Sequence, residues 1–99
     1  MEDHKPKLLI VDDEKINLDI LTGLLSQEYR TVIAKDGLQA LKRLETVPLP
    51  DLVLLDVTMP GMDGFEICRG MKANLLTHNI PVIFVTSRTG EDDETLGFD

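Results

Sequence analysis

Three unbroken apolar runs constrain this chain more than any other feature: Leu8-Leu9-Ile10-Val11, Leu52-Val53-Leu54-Leu55 and Val82-Ile83-Phe84-Val85. A run without polar alternation has no side to offer to water. It suits a strand buried on both faces of a parallel sheet, with helices above and below. A weaker segment, residues 29–34, carries Arg30 and Thr31 and reads as an edge strand. Helical spacing fills the intervals. Ile16, Ile20, Leu21, Leu24 and Leu25 fall on one face of a helix predicted over residues 14–27. Ala40, Leu41 and Leu44 mark a second helix beginning near Gly37, and Cys68, Met71 and Leu75 a third opening near Asp63-Gly64. Asp and Gly at these starts suit N-caps. A further helix is expected near Glu91. The order β-α-β-α-β-α-β predicts an α/β fold with a parallel sheet and right-handed crossovers.

Composition narrows the class. With 99 residues the chain has room for one domain, taken as residues 1–99. A single cysteine, Cys68, makes no internal disulfide, and its inward position on the third helix marks it as core rather than reactive. No run approaches the roughly 18 apolar residues of a membrane span. The polar first residues lack the apolar core of a signal peptide, so a cytoplasmic protein without a membrane partner is expected. A net charge of -8, with the basic residues scattered, argues against direct binding of nucleic acid.

Chemistry concentrates at the ends of the apolar runs. The first ends in Asp12-Asp13, the second in Asp56, the third in Thr86-Ser87. In an open α/β sheet, ligands bind at the carboxyl ends of the strands. Each residue taken alone has a plainer reading: a helix cap for Asp12 or Asp13, a turn for Asp56, a loop start for Thr86. Together, three carboxylates and a hydroxyl converge if the strands are neighbours. Carboxylates about 4 Å apart repel by roughly 4 kcal/mol at an effective dielectric near 20. Either one holds a proton or a cation sits among them, and hard oxygen donors select Mg²⁺ where phosphate chemistry follows. Asp56, ending the central strand of the three, suits a nucleophile that forms an acyl phosphate. The turn-rich loop Met59-Pro60-Gly61-Met62-Asp63-Gly64 can expose a backbone carbonyl near Thr58 to the metal.

Ile10-Val11-Asp12-Asp13-Glu14, Leu54 through Gly64, and Pro81-Val82-Ile83-Phe84-Val85-Thr86 resemble the receiver domain of two-component response regulators over essentially the whole chain. The resemblance implies a flavodoxin-like, doubly wound parallel sheet of strand order 2-1-3-4-5. It implies that Asp56 is the phosphoacceptor. Asp13, Asp56 and the Thr58 carbonyl would bind Mg²⁺ directly, Asp12 would act through water, and Thr86 would bind a phosphoryl oxygen. Thr58 and Arg88 occupy the variable positions that tune dephosphorylation in the family. The implied donor is a sensor histidine kinase. Asn17, Cys68-Arg69 and Phe84-Val85-Thr86 are similar to receivers fused to cyclic-di-GMP synthesis or hydrolysis domains, which suggests an output of that kind.

The chain also departs from the family. A receiver has a fifth strand and helix, and the turn before that strand carries a lysine that pairs with the phosphoryl group. The last lysine here is Lys72, and the sequence ends at Asp99. The expected sheet is therefore 2-1-3-4 with the fifth βα unit absent, a domain cut short by about 20–30 residues. Such a chain is expected to self-associate, by pairing at the exposed edge of its fourth strand or by element exchange between protomers, or to borrow the missing part from a partner. The missing lysine keeps a second class open: a receiver-like binding module or folding fragment that is not phosphorylated, and in neither case an enzyme in its own right. A phosphatase or phosphotransferase of the haloacid dehalogenase type wants a second Asp two residues beyond the first, where Thr58 stands. A P-loop enzyme is excluded because no G-x-x-x-x-G-K-[ST] occurs. His4, His78 and the acidic run Glu91-Asp92-Asp93-Glu94 read as solvated surface.

Overall fold

Apolar runs and amphipathic segments alternate to build a parallel sheet of four strands, seen in a computed structural model that describes residues 5–57, 59, 61 and 63–85. The elements are β1 (Lys7–Val11), α1 (Lys15–Leu25), β2 (Arg30–Ala34), α2 (Gly37–Leu44), β3 (Leu52–Asp56), α3 (Gly64–Lys72) and β4 (Val82–Val85). The sheet runs β2-β1-β3-β4, the order expected. β2 is an edge strand, and β3 lies between β1 and β4, as the placement of Asp56 required. The helix expected near Glu91 lies outside the described residues.

Register sorts the side chains between the two faces. Ile10 pairs with Leu54 and Leu54 with Ile83, while Val11 pairs with Leu55 and Leu55 with Phe84. Leu9 and Val11 of β1 and Val53 and Leu55 of β3 join Ala40 and Leu44 of α2 and Ile67 and Met71 of α3 in the larger core cluster. The even-numbered residues Leu8, Ile10 and Leu54 meet Leu18 of α1 in a smaller one. Burying each such leucine or isoleucine contributes about 1.5–3 kcal/mol.

Two helix starts follow the expected capping chemistry. Asp36 accepts from the Gln39 N–H at 2.8 Å. Asp63 and Glu66 form a reciprocal capping box that satisfies two orphan amides at the start of α3. α1 begins at Glu14 without a side-chain cap. At the far end of α3, the Lys72 ammonium donates to the carbonyls of His78 and Ile80, both at 3.2 Å, and ties down the connection to β4.

Some helix faces differ from the sequence expectation. On α1 it is Leu18 that is buried, with Leu21 and Leu25 half-buried against the same cluster. Ile16, Ile20 and Leu24 form an exposed stripe beside that face. The apolar arc of α1 is wider than the strip of sheet it meets, so part of it faces water. On α3, Ile67 and Met71 are buried and Cys68 packs half-buried against the core, while Leu75 lies past the helix end and is exposed. β4 is the outer strand among the described residues, as the order 2-1-3-4 requires. Its apolar run reads as buried on both faces, but Ile83 is 48% and Phe84 41% exposed, because an outer strand meets fewer neighbours than an interior one.

Candidate functional site

β1 and β3 are neighbours in register, Val11 against Leu55, so the residues at their carboxyl ends meet. The Asp12 N–H continues the ladder by donating to the Ala34 carbonyl at 3.1 Å. Its side chain turns back, with Oδ1 accepting from the Glu14 N–H at 2.9 Å, and is almost wholly buried. That bond holds one carboxylate oxygen at the entry to α1 without making Asp12 the N-cap. Asp13 is exposed beside it. Asp56 ends β3, pairs in register with Val85 of β4, and is fully buried.

One carboxylate oxygen from each of Asp12, Asp13 and Asp56 lies within 4.8 Å of the others. At that separation each ionised pair repels by about 3–4 kcal/mol for an effective dielectric near 20. The donor set is all oxygen, anionic, and drawn from two strand ends that the sheet holds together. Such donors fit a hard divalent cation such as Mg²⁺ and do not suit a softer metal that prefers nitrogen or sulfur. The exposed Asp13 leaves one side of the cluster open to solvent, which a cation that keeps several waters requires.

The connection from β3 to α3 forms the rim. Met59 is buried in the larger core cluster and anchors the loop from below. Gly61 sits at φ 82°, a conformation that glycine adopts without the strain other residues meet. Asp63 then caps α3, and Gly64, its first residue, rests against the main chain of Asp56. A Cβ on Gly64 would stand 2.5 Å from the Asp56 carbonyl oxygen and 3.2 Å from the Val57 Cα. Sequence reasoning saw Gly64 only as part of a turn-rich loop and helix start. Nothing in the sequence separates a glycine required by a turn from one required by a close approach.

The structure thus brings Asp12, Asp13 and Asp56 together. Thr58, Thr86, Ser87 and Arg88 lie outside the described residues. His78 sits half-buried in the connection between α3 and β4, away from the carboxylates in the fold. Among the described residues, no helix is long and apolar enough to cross a membrane.

Comparison with known proteins places this geometry. The model of the response regulator receiver domain matches residues 8–98. A probable cyclic di-GMP phosphodiesterase of Vibrio cholerae is 45% identical over 93% of this chain and 21% of its own length. The response regulator PleD of Caulobacter vibrioides is 43% identical over 94% of this chain and 20% of its own. The chain therefore spans about a fifth of the length of these relatives. The N-terminal domain of a response regulator receiver protein from Methanoculleus marisnigri superposes with a TM-score of 0.78 at 36% identity, covering 93% of this chain and 76% of that one. The strand order, the strand-end acidic cluster and these matches agree on a flavodoxin-like receiver fold: the chain belongs to the response regulator receiver domain family of two-component signalling.

Proposed function

We propose that Asp56 is the phosphoacceptor of this receiver and that Asp12, Asp13 and Asp56 hold the Mg²⁺ that phosphorylation needs. The observation that carries the proposal is the meeting of three carboxylates from two adjacent strand ends, with Asp56 fully buried at the end of an interior strand. Burial and pairing in the sheet restrict the Asp56 side chain to few orientations, which favours attack in one direction. The proposed donor is a phosphohistidine of a sensor histidine kinase. An Asp56 carboxylate oxygen bonds to phosphorus as the P–N bond breaks, and the imidazole nitrogen keeps the electron pair and takes up a proton. When bound, the cation would supply charge neutralisation for the carboxylates and the phosphoryl oxygens. Asp12 and Asp13 orient the site and set its negative charge. From the family resemblance, the Thr58 carbonyl is proposed as a further metal ligand and the Thr86 hydroxyl as a donor to a phosphoryl oxygen. In this reading the domain accepts and carries the phosphoryl group and is not itself the enzyme of its protein. The relative named as a probable cyclic di-GMP phosphodiesterase supports an output in cyclic-di-GMP signalling.

Acetyl phosphate with Mg²⁺ tests the site, with mass spectrometry as the readout because the chain has no tryptophan. The phosphoryl mass is expected on the peptide that contains Asp56, to depend on Mg²⁺, and to vanish in Asp56→Asn. Asp13→Ala should lower the yield severely. A label that survives Asp56→Asn and maps elsewhere would sink the assignment. In the absence of phosphodonor, Mg²⁺ at ten times its Kd should stabilise the fold by about 1.4 kcal/mol, and Asp13→Ala should lose that increment.

A further inference from the structure

We infer that Gly64 is a positioning residue for the metal site: its missing side chain sets the distance between the end of β3 and the first turn of α3, and so fixes where Asp56 stands relative to Asp12 and Asp13. The inference rests on the metal reading above. The loop that leaves β3 at Asp56 returns at Gly64, and its neck is a backbone-to-backbone approach. A Cβ placed there would meet the Asp56 carbonyl oxygen at 2.5 Å, the Asp56 carbonyl carbon at 3.1 Å and the Val57 Cα at 3.2 Å. All three obstacles are main-chain atoms, so no side-chain rotation relieves them. One side of the neck must move.

The helix side is fastened. Ile67 and Met71 of α3 are buried in the larger core cluster. The Phe65 ring, next to Gly64, packs on the Phe84 ring of β4 with centroids 4.8 Å apart. The capping box holds the same first turn from its N-terminal end. The strand side is held by fewer links: Asp56 is the last residue of β3, and past it the Val57 N–H bond to the Val85 carbonyl, at 3.1 Å, is the last rung to β4 among the described residues. A methyl at position 64 therefore displaces the main chain at Asp56 and Val57. Asp12 and Asp13 follow β1 and do not move with it. The three oxygens lose their common spacing while the hydrophobic core stays in place. Gly70 of the same helix provides the control, since a Cβ there meets nothing within 4 Å.

The test is a Mg²⁺ titration of the full chain, followed by NMR at the amides of Asp12, Asp13 and Asp56, in the wild type, Gly64→Ala, Gly70→Ala and Asp13→Ala. It is run at low temperature with trimethylamine N-oxide to keep destabilised variants folded. Gly64→Ala is expected to bind Mg²⁺ on the order of tenfold more weakly, the low end of the loss when groups that orient metal ligands are disturbed. Gly70→Ala should titrate as wild type. Before any metal is added, the amide shifts of Asp56 and Val57 should move in Gly64→Ala while those of Leu8 and Leu9 stay put. Wild-type Mg²⁺ affinity in a folded Gly64→Ala overturns the inference. So does a Gly64→Ala chain that stays unfolded in the osmolyte, since the glycine is then purely structural. If wild type and Asp13→Ala titrate alike, the metal reading itself fails and takes this inference with it, an outcome distinct from the other two.

Discussion

The two faces of the sheet are built to different depths. On one, α2 and α3 close over Leu9, Val11, Val53 and Leu55, and the cluster extends through Met59 to Ile80. On the other, among the described residues, α1 alone meets Leu8, Ile10 and Leu54, chiefly through Leu18. The carboxylate cluster sits across this division. Asp56 ends β3, whose Val53 and Leu55 lie in the thick layer, and the loop behind it is anchored there by Met59. Asp12 and Asp13 lead into α1 and the thin layer. One half of the site is thus rooted in dense packing and the other rests on a helix with half its apolar arc in water.

Truncating one side chain on each face tests that contrast hardest. Ile67→Ala should fall toward the upper part of the ~2–5 kcal/mol range for such cavities, and Leu18→Ala toward the lower part, because a thin layer collapses more readily onto the space left. Urea midpoints measure both, and an equal or larger loss at Leu18 would show the two faces to be packed alike. The helix starts offer a smaller contrast. Asp63→Ala removes the capping box on the thick side and should cost about 1 kcal/mol. Glu14→Ser gives α1 the cap it lacks and should raise stability by roughly 0.5 kcal/mol or somewhat more. A loss instead would mean that the bond from the Asn17 side chain to Glu14 at 3.2 Å matters more than the missing cap. The smallest effect is expected on the exposed stripe. Ile16→Ser and Ile20→Ser should each change stability by less than about 0.5 kcal/mol. A larger loss would reveal that something covers the stripe in solution.

Much of this organisation is legible in the residues. Runs without polar alternation mark interior strands because a strand's two faces are both sampled within four residues. Asp12 and Asp56 stand out because each directly follows such a run, with Asp13 next to Asp12, and strand ends in a parallel sheet share one edge. The inward face of α1 was not legible. Ile16, Ile20 and Leu24 trace one strip, and Leu18, Leu21 and Leu25 an adjoining one, and helical periodicity cannot choose between adjoining strips without knowing how much sheet lies beneath. The third run reads as covered on both sides, yet Ile83 and Phe84 are partly exposed. Coverage depends on which elements reach a strand, a property of tertiary neighbours that no four-residue window contains. The role of Gly64 was hidden for a similar reason: its constraint lies across the loop, in the carbonyl of Asp56.

The pairing of Asp56 with Val85 at the end of the sheet has a mechanical side. The Val57 N–H donates to the Val85 carbonyl at 3.1 Å, a rung one residue beyond Asp56 on β3 and at the last residue of β4. Parallel strands resist sliding past one another because every rung must shear together, but the last rung among the described residues can open by itself. A shift of the Asp56 main chain therefore strains that link to β4 as well as the covalent chain of β3. Deuterium uptake at the Val57 amide is where the opening of that link would register first.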